Sequence, residues 1–216
     1  YLVVWYNDRP GNDDIRAQRV DGDGTLLGGP FYIAAGSGVE RRHPAVAYSS
    51  GQQRYLVVYE HDDGTYSRVY GRVIGGDGQV LGVEFPLSSG AALKNCFTPA
   101  IAYASTAATF LVVWQRTVVA STVSDIEAQL ANGDGSLSGA NFFVQQGSNP
   151  FSHSAPALAY NRARNEFLVV WERYDGGATL TDIYGRLVTG NGQPLLPASI
   201  EYARMTVSNT KPAVAA

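Results

Sequence analysis

The chain has 216 residues, of which 45% are hydrophobic and 16% are charged, and its formal net charge is −3. This weakly acidic balance offers no basic surface to a phosphate backbone, so nucleic acid is not an expected partner. No apolar run approaches the roughly 20 residues that a membrane-spanning helix needs. The 24 glycines and 10 prolines favour many short strands joined by tight turns, with little support for helix.

The chain opens on an apolar strand whose sequence returns three times. The four copies are Tyr1-Leu2-Val3-Val4-Trp5, Tyr55-Leu56-Val57-Val58-Tyr59, Phe110-Leu111-Val112-Val113-Trp114 and Phe167-Leu168-Val169-Val170-Trp171. Their starts are 54, 55 and 57 residues apart. This period predicts four copies of one structural unit within a single domain, with units that begin near residues 1, 55, 110 and 167.

A second predicted strand and a tight turn follow in each unit. The strands are Ile15 to Val20, Val69 to Ile74, Ile126 to Leu130 and Ile183 to Val188. The turns are Gly22-Asp23-Gly24, Gly76-Asp77-Gly78, Gly133-Asp134-Gly135 and Gly190-Asn191-Gly192. Asp-Gly and Asn-Gly supply the positive φ angles of a hairpin. The third strand then carries an apolar residue, which is Phe31, Phe85, Phe142 or Ile200.

The last strand of the unit is Pro44-Ala45-Val46-Ala47-Tyr48. It returns at 99–103, at 156–160 and, with its final residue changed to alanine, at 212–216. All four copies have alanine at two alternate positions, which are Ala45 and Ala47, Ala100 and Ala102, Ala157 and Ala159, and Ala213 and Ala215. Small side chains permit close approach, so we expect these strands to be innermost, where the sheets crowd together.

A four-stranded antiparallel meander repeated around an axis is a propeller blade, and the sequence therefore predicts an all-β, four-bladed β-propeller of about 54 residues per repeat. When the strands of a blade are counted from the innermost one, the chain begins at the second strand of a blade and ends at the first. We therefore expect Lys211 to Ala216 to pair beside Tyr1 to Trp5 and to complete the first blade. Four blades of a larger ring of six to eight are the competing interpretation.

The Leu-Val-Val-Trp phrase, Asp182 to Leu187 (Asp-Ile-Tyr-Gly-Arg-Leu), the Asp-Gly turn and Pro-Ala-Val-Ala-Tyr together resemble the propeller-type repeats of large secreted bacterial proteins. The resemblance covers the whole chain, with departures at Tyr59, Arg68, Ile200 and Ala216. Such repeats occur in surface and adhesin-like proteins. The resemblance therefore implies an extracellular or cell-surface location.

Loops that differ between the copies lie on one face of the predicted disc, and we expect any ligand to bind there. The candidate binding residues on this face are Tyr6, Arg9, His43, His61, Tyr66, Cys96, His153 and Tyr174. Exposed tyrosines can stack on sugar rings. The only three histidines are in this set and could serve as a base or a metal pair, or could be ordinary surface residues.

Three further features have a structural and a chemical interpretation. Asp14, Asp125 and Asp182 occupy one equivalent position, which suits either the paired carboxylates of a glycosidase or a turn residue that accepts backbone N–H groups. Asp21 to Gly24 begins like a calcium loop but lacks the remaining ligands, so it favours a hairpin turn. Cys96 has no partner for an internal disulfide and suits a small buried residue. No cofactor or metal site is predicted.

Two functions suit these observations. The first is a non-catalytic structural or adhesive module of a cell-surface or filamentous assembly, which self-associates or binds other surface proteins. The second is a lectin-like propeller that binds glycans through its variable loops. A glycan hydrolase that uses Asp14, Asp125 or Asp182 is a third and weaker hypothesis.

Overall fold

The protein is described here by a computed structural model that covers residues 1–8, 13–89, 93–148, 150–176, 181–195, 200–203 and 209–215. These residues form 15 strands in four antiparallel sheets and no helix. Within each sheet the strands are hydrogen-bonded in chain order. The predicted all-β class is confirmed, and so is the four-fold repeat of one meander. In the part of the chain described, no helix has the length and apolar character needed to cross a membrane.

We refer to the four sheets as blades 1 to 4. Blade 1 contains β1 (Leu2–Asn7), β2 (Asp14–Val20) and β3 (Leu26–Ala34). Blade 2 contains β4 (Glu40–Ser49), β5 (Arg54–Asp62), β6 (Ser67–Gly75) and β7 (Val80–Pro86). Blade 3 contains β8 (Lys94–Ala104), β9 (Thr109–Val118), β10 (Ser124–Asn132) and β11 (Leu137–Gln145). Blade 4 contains β12 (Ser152–Asn161), β13 (Glu166–Tyr174), β14 (Thr181–Thr189) and β15 (Ile200–Ala203).

The Leu-Val-Val-Trp strands are apolar throughout because both of their faces are covered. In β9, Leu111 and Val113 pack against blade 4, whereas Val112 and Trp114 pack against blade 2. All four side chains are fully buried. Alternate residues of a strand point to opposite faces of its sheet, so a strand held between two neighbouring sheets needs an uninterrupted apolar run.

The innermost strands β4, β8 and β12 are longer than predicted, because each begins several residues before its Pro-Ala phrase. A shift in register interrupts the pairing at this point in all three strands. The residue before the proline has a positive φ, which is 49° at His43, 49° at Thr98 and 48° at Ala155. This β-bulge redirects the start of the strand and releases backbone groups from the ladder.

The predicted hairpin turns are confirmed. Gly24, Gly78, Gly135 and Gly192 all have positive φ, between 78° and 92°. In blade 2 the amide of Gly78 donates to the carbonyl of Gly75, and the carboxylate of Asp77 accepts the amide of Gln79. Glycine is required at the left-handed position, and the aspartate closes the turn.

Blade 1 has three strands, and residues 209–215 form none. The amide of Lys211 donates to Glu172 of blade 4 at 2.6 Å. Ala216, the last residue of the predicted closing strand, lies outside the described residues. The pairing of Lys211 to Ala216 with Tyr1 to Trp5 is therefore not formed among the described residues, and the closed ring stays a prediction.

Packing between blades predicts the effect of a core truncation. Because Leu111 is fully buried between blades 3 and 4, we expect Leu111→Ala to lower the free energy of unfolding by roughly 2–5 kcal/mol. Val83→Ala is the control, since Val83 lies on an outer strand and is 76% exposed. Urea denaturation of both variants measures the difference. Equal, small effects would contradict the role of interblade packing.

Candidate functional site

A cluster of polar side chains lies where the bulges of the innermost strands meet the ends of the Leu-Val-Val-Trp strands. We call this surface the bulge rim. It consists of the bulge residues His43, Thr98, Ala155 and Lys211 and the strand-end residues Glu60 and Glu172. Lys211 belongs to it because its φ of 55° and its following proline match those of the other three.

Glu60 is anchored by residues of two blades. Its Oε1 accepts the backbone amide of Thr98 in blade 3 at 2.5 Å and lies 2.9 Å from Nδ1 of His43 in blade 2. The Glu60 side chain is 10% exposed, whereas the imidazole of His43 is 53% exposed. The amide that the bulge releases is thus satisfied by a nearly buried carboxylate, and the same carboxylate contacts the exposed imidazole of His43.

Glu172 repeats this arrangement two blades later. Its Oε1 accepts the backbone amide of Lys211 at 2.6 Å, and its Oε2 accepts the hydroxyl of Ser154 at 3.2 Å. Glu172 and Glu60 occupy equivalent positions, since Glu172 pairs with Ser154 and Glu60 with Arg42 in the matching register. The rim therefore holds two carboxylates in the same environment.

Copies 1 and 3 carry no acid at this position. Tyr6 and Gln115 stand there, and the ring of Tyr6 lies 6.1 Å from that of His43. Acids in alternate copies of a repeat are not required by its architecture, because the other two copies form the same strand without them. This alternation was visible in the sequence, but Glu60 and Glu172 were not among the predicted site residues.

Two other ion clusters lie among the strands of blades 2 and 3. Arg41 donates to both carboxylate oxygens of Glu84, at 3.1 and 3.3 Å, and the hydroxyl of Tyr59 donates to the same group at 2.8 Å. Burial by itself would raise the pKa of Glu84, but these hydrogen bonds outweigh it and hold that pKa below its ordinary value. The cluster secures blade 2 beside blade 1, since Arg41 also donates to the carbonyl of Gly36.

The second cluster is buried in blade 3. Nζ of Lys94 lies 3.1 Å from a carboxylate oxygen of Glu127, which also accepts the indole N–H of Trp114. Both charged side chains are less than a tenth exposed. A buried pair that is hydrogen-bonded in this way favours a single arrangement of the strands, and its enclosure separates it from solutes.

The predicted tyrosines lie at the variable face with different exposure. Tyr6 and Tyr174 are 38% and 42% exposed. Tyr66 is half-buried beneath the guanidinium of Arg68, which lies 5.4 Å from its ring centre. Arg9 falls outside the described residues. Tyr6, through its contact with His43, is the tyrosine that the structure places at the bulge rim.

Cys96, His61 and His153 occupy strands and not surface loops. Cys96 is fully buried between blades 2 and 3, and burial raises the pKa of its thiol to about 11. His61 is stacked on Tyr70 at 4.0 Å and is half-buried, which lowers its pKa. His153 is 3% exposed. The structure thus does not support the predicted surface roles of Cys96 and His153, because the bulged strands carry these side chains inward.

The equivalent aspartates act on the backbone. Asp14 accepts the amide of Gly36 at 3.3 Å, and Asp125 accepts that of Gly147 at 2.8 Å. In blade 1 this bond joins the start of β2 to the residues that follow β3. In blade 3 it joins the start of β10 to the residues that follow β11. For Asp182 the corresponding residue 204 lies outside the described ranges. These contacts agree with the turn interpretation of Asp14 and Asp125, and Asp125 is also paired with Arg116.

Within the described ranges, no group of three His, Cys, Asp or Glu side chains has the arrangement of a metal site. The Asp-Gly turns that resemble a calcium loop use their carboxylates locally. Asp23 accepts the amide of Thr25, and this bond lowers the pKa of the Asp23 carboxyl. The hairpin interpretation of this segment is therefore the one that the contacts support.

No family model matches this sequence, and no curated protein matches it. Solved structures do. An α-L-arabinanase of Penicillium chrysogenum complexed with arabinobiose is 12% identical with a TM-score of 0.61, over 93% of this chain and 62% of its own. An endo-arabinase of Bacteroides thetaiotaomicron is 11% identical with a TM-score of 0.57, over 93% and 80%. A Hadza microbial sialidase is 11% identical with a TM-score of 0.59, over 85% and 44%.

These similarities support the β-propeller fold and correct one prediction. The chain spans less than two thirds of the length of the Penicillium enzyme and of the sialidase. The expected non-catalytic structural or adhesive module is contradicted, because the proteins that share this fold are enzymes named for carbohydrate substrates. At this identity the similarity shows the fold alone.

The buried imidazole of His153 predicts a pH dependence of stability. Desolvation lowers the pKa of His153 to about 4, and its Nδ1–H donates to the carbonyl of Ser124 at 3.3 Å. The unfolded chain binds this proton below about pH 6.5, while the folded chain stays neutral until about pH 4. Stability is therefore lost as pH falls through this window, by up to about 3 kcal/mol.

We expect His153→Gln, which keeps a donor toward Ser124 but does not titrate, to lose less stability than the wild type between pH 7 and pH 4. Urea denaturation at several pH values measures both slopes, and the difference between the slopes isolates the histidine from the carboxylates. Equal slopes would show that His153 titrates alike in the folded and unfolded chains.

Proposed function

We propose that this chain binds a glycan at the bulge rim of a four-bladed ring and hydrolyses a glycosidic bond there, with Glu60 and Glu172 as the two catalytic carboxyl groups. The observation that carries the proposal is the matched anchoring of these two glutamates, each on the bulge amide of the next innermost strand. Copies 1 and 3 keep the strand without the acid.

The chemistry requires two carboxyl groups on opposite sides of the bond. One donates a proton to the leaving oxygen, and the other either attacks the anomeric carbon or removes a proton from the attacking water. Water is consumed, and its two parts end on the two sugars. Glu60 and Glu172 lie at equivalent positions of blades 2 and 4, and the proposal requires that one bound sugar chain reach both carboxyl groups.

A backbone amide binds one oxygen of each carboxylate, and the hydroxyl of Ser154 binds the second oxygen of Glu172. These bonds hold each carboxylate in one orientation. His43 and Tyr6 add a donor and an aromatic surface beside Glu60. Aromatic faces stack on sugar rings, and imidazole and hydroxyl groups bond to sugar hydroxyls. These groups support binding of the glycan as well as its cleavage.

Three lines of reasoning support a glycan as the substrate. Fold neighbours include enzymes named for arabinan and a structure that contains arabinobiose. The formal net charge of −3 provides no overall positive field that would favour a phosphate-containing ligand. Besides Lys211, the rim offers two carboxylates and the imidazole of His43, which are groups that hydrogen-bond to sugar hydroxyls. An extracellular location, self-association and contact with other surface proteins remain predictions from the sequence.

Substitution of the two glutamates tests this function. We expect Glu60→Gln and Glu172→Gln each to lower kcat by about 10³-fold or more on the oligosaccharide that the wild type cleaves, with little change in binding. A panel that includes arabino-oligosaccharides, assayed for reducing ends, identifies that substrate. Glu166→Gln is the matched control, because Glu166 begins the strand that carries Glu172 and pairs with the exposed Arg164 at the other end.

Wild-type kcat in both rim variants would refute the catalytic assignment. Binding of glycans that no panel member converts to product would instead leave a carbohydrate-binding propeller, and loss of that binding in Tyr6→Ala would place the binding site at the rim. A panel with neither turnover nor binding would refute the proposal entirely.

A further inference from the structure

One face of blade 1 is exposed, although the corresponding face is buried in the other three blades. Val57, Val112 and Val169 are 0% exposed, since each faces the preceding blade. Val3 occupies the same position in blade 1 and is 51% exposed, and Tyr1 is 79% exposed. The opposite face of the same strand is buried against blade 2, where Leu2 belongs to the apolar cluster with Val57. Blade 1 thus has an apolar face for a preceding blade.

Blade 4 has the complementary deficit. Leu56 and Leu111, which face the following blade, are fully buried, whereas the equivalent Leu168 is half-buried. Ile126 is likewise fully buried, and its equivalent Ile183 is half-buried. The three apolar clusters among the described residues join blades 1 and 2, 2 and 3, and 3 and 4. The two apolar faces that no neighbouring blade fully covers therefore belong to blades 1 and 4, the first and last blades of the row.

The segment that would join these ends already has part of the required geometry. Lys211 has the left-handed φ of the bulge residues, and its amide bonds to Glu172 of blade 4 as the amide of Thr98 bonds to Glu60 of blade 2. The start of residues 211–215 thus lies beside blade 4 in the position of an innermost strand. What it lacks is a hydrogen-bonded partner strand.

The strand edge beside which residues 211–215 are expected to lie is the edge of β1 that has no partner strand among the described residues. β1 is the first strand of a three-stranded sheet and pairs on one side, with β2. A groove of about 510 Å³ lies at this edge, lined by Tyr1, Leu2 and, from blade 2, Val46, Ala47, Tyr48 and Tyr55. The lining is mostly apolar, which suits an alanine- and valine-containing strand and not a charged one.

We propose that the chain's own residues 213–215 pair antiparallel with β1 and close the row of blades into a ring. The register follows from the complete blades, in which Ala45, Val46 and Ala47 lie opposite Val58, Val57 and Leu56. Blades 3 and 4 repeat this register. It places Ala213 opposite Val4, Val214 opposite Val3 and Ala215 opposite Leu2. Pairing in this register brings the exposed face of blade 1 onto blade 4.

Ring closure also completes the bulge rim, because Lys211 and Glu172 are its members nearest the seam. The inference does not depend on the proposed hydrolysis, since it rests on register, exposure and the bonding of Lys211. A failure of one is therefore distinguishable from a failure of the other: the first is read from a cross-link, and the second from turnover.

Paired cysteines test the register. We expect Val3→Cys with Val214→Cys to form a disulfide within one chain under mild oxidation, in which the oxidant accepts two electrons. The product would be seen as a faster monomer band on non-reducing gels and as a mass lower by two hydrogen atoms. Val3→Cys with Ala213→Cys is the control, because a shift of one residue turns the second thiol to the other face. Cys96 is fully buried and is common to both variants.

Hydrogen exchange of the unmodified chain gives a second readout that needs no substitution. We expect amides of residues 1–5 to exchange as slowly as those of 55–59, which have partner strands on both sides. Equal cross-linking in the two cysteine pairs, cross-links only between chains, or exchange of residues 1–5 as fast as that of an outer strand would each overturn the proposal. The interchain result would replace it with exchange of the segment between copies.

Discussion

The structure depends on the burial of one strand per blade on both faces. A strand such as β9 contacts blade 2 with Val112 and Trp114 and blade 4 with Leu111 and Val113. Each blade therefore completes the core of its neighbours and has no separate core of its own. The stability of the row is cooperative between adjacent copies, and an end blade without a neighbour leaves half of this strand exposed, as Val3 shows.

The same packing separates architecture from chemistry. Positions between the blades must be apolar in every copy, so their side chains carry little information about ligands. The bulge of the innermost strand is different, because it releases a backbone amide toward the rim and leaves the residue that satisfies it free to vary. Glu60 and Glu172 satisfy such amides in two copies. The two carboxylates of the proposed site are thereby held by a bulge that the innermost strands repeat.

Ion pairs among the strands also differ between the blades. Arg41 with Glu84 and Lys94 with Glu127 lie between strands in single copies, where hydrogen bonds from Tyr59 and Trp114 compensate the loss of water. They differ between blades, yet each pair is hydrogen-bonded within its own blade. Variation between the copies of a repeat therefore does not by itself mark a functional surface.

The amino-acid sequence by itself determined the four-fold repeat, the all-β class and the Asp-Gly turns, because strand alternation and positive φ are local properties that a short phrase encodes. It did not reveal that His43, Cys96 and His153 lie on bulged strands, since a bulge depends on pairing with a partner strand. Tertiary structure alone decided that Cys96 and His153 are buried while Glu60 and Glu172 meet bulge amides of the next innermost strand. Those contacts join residues 38 and 39 positions apart, and such a distance is closed only when one blade packs on the next.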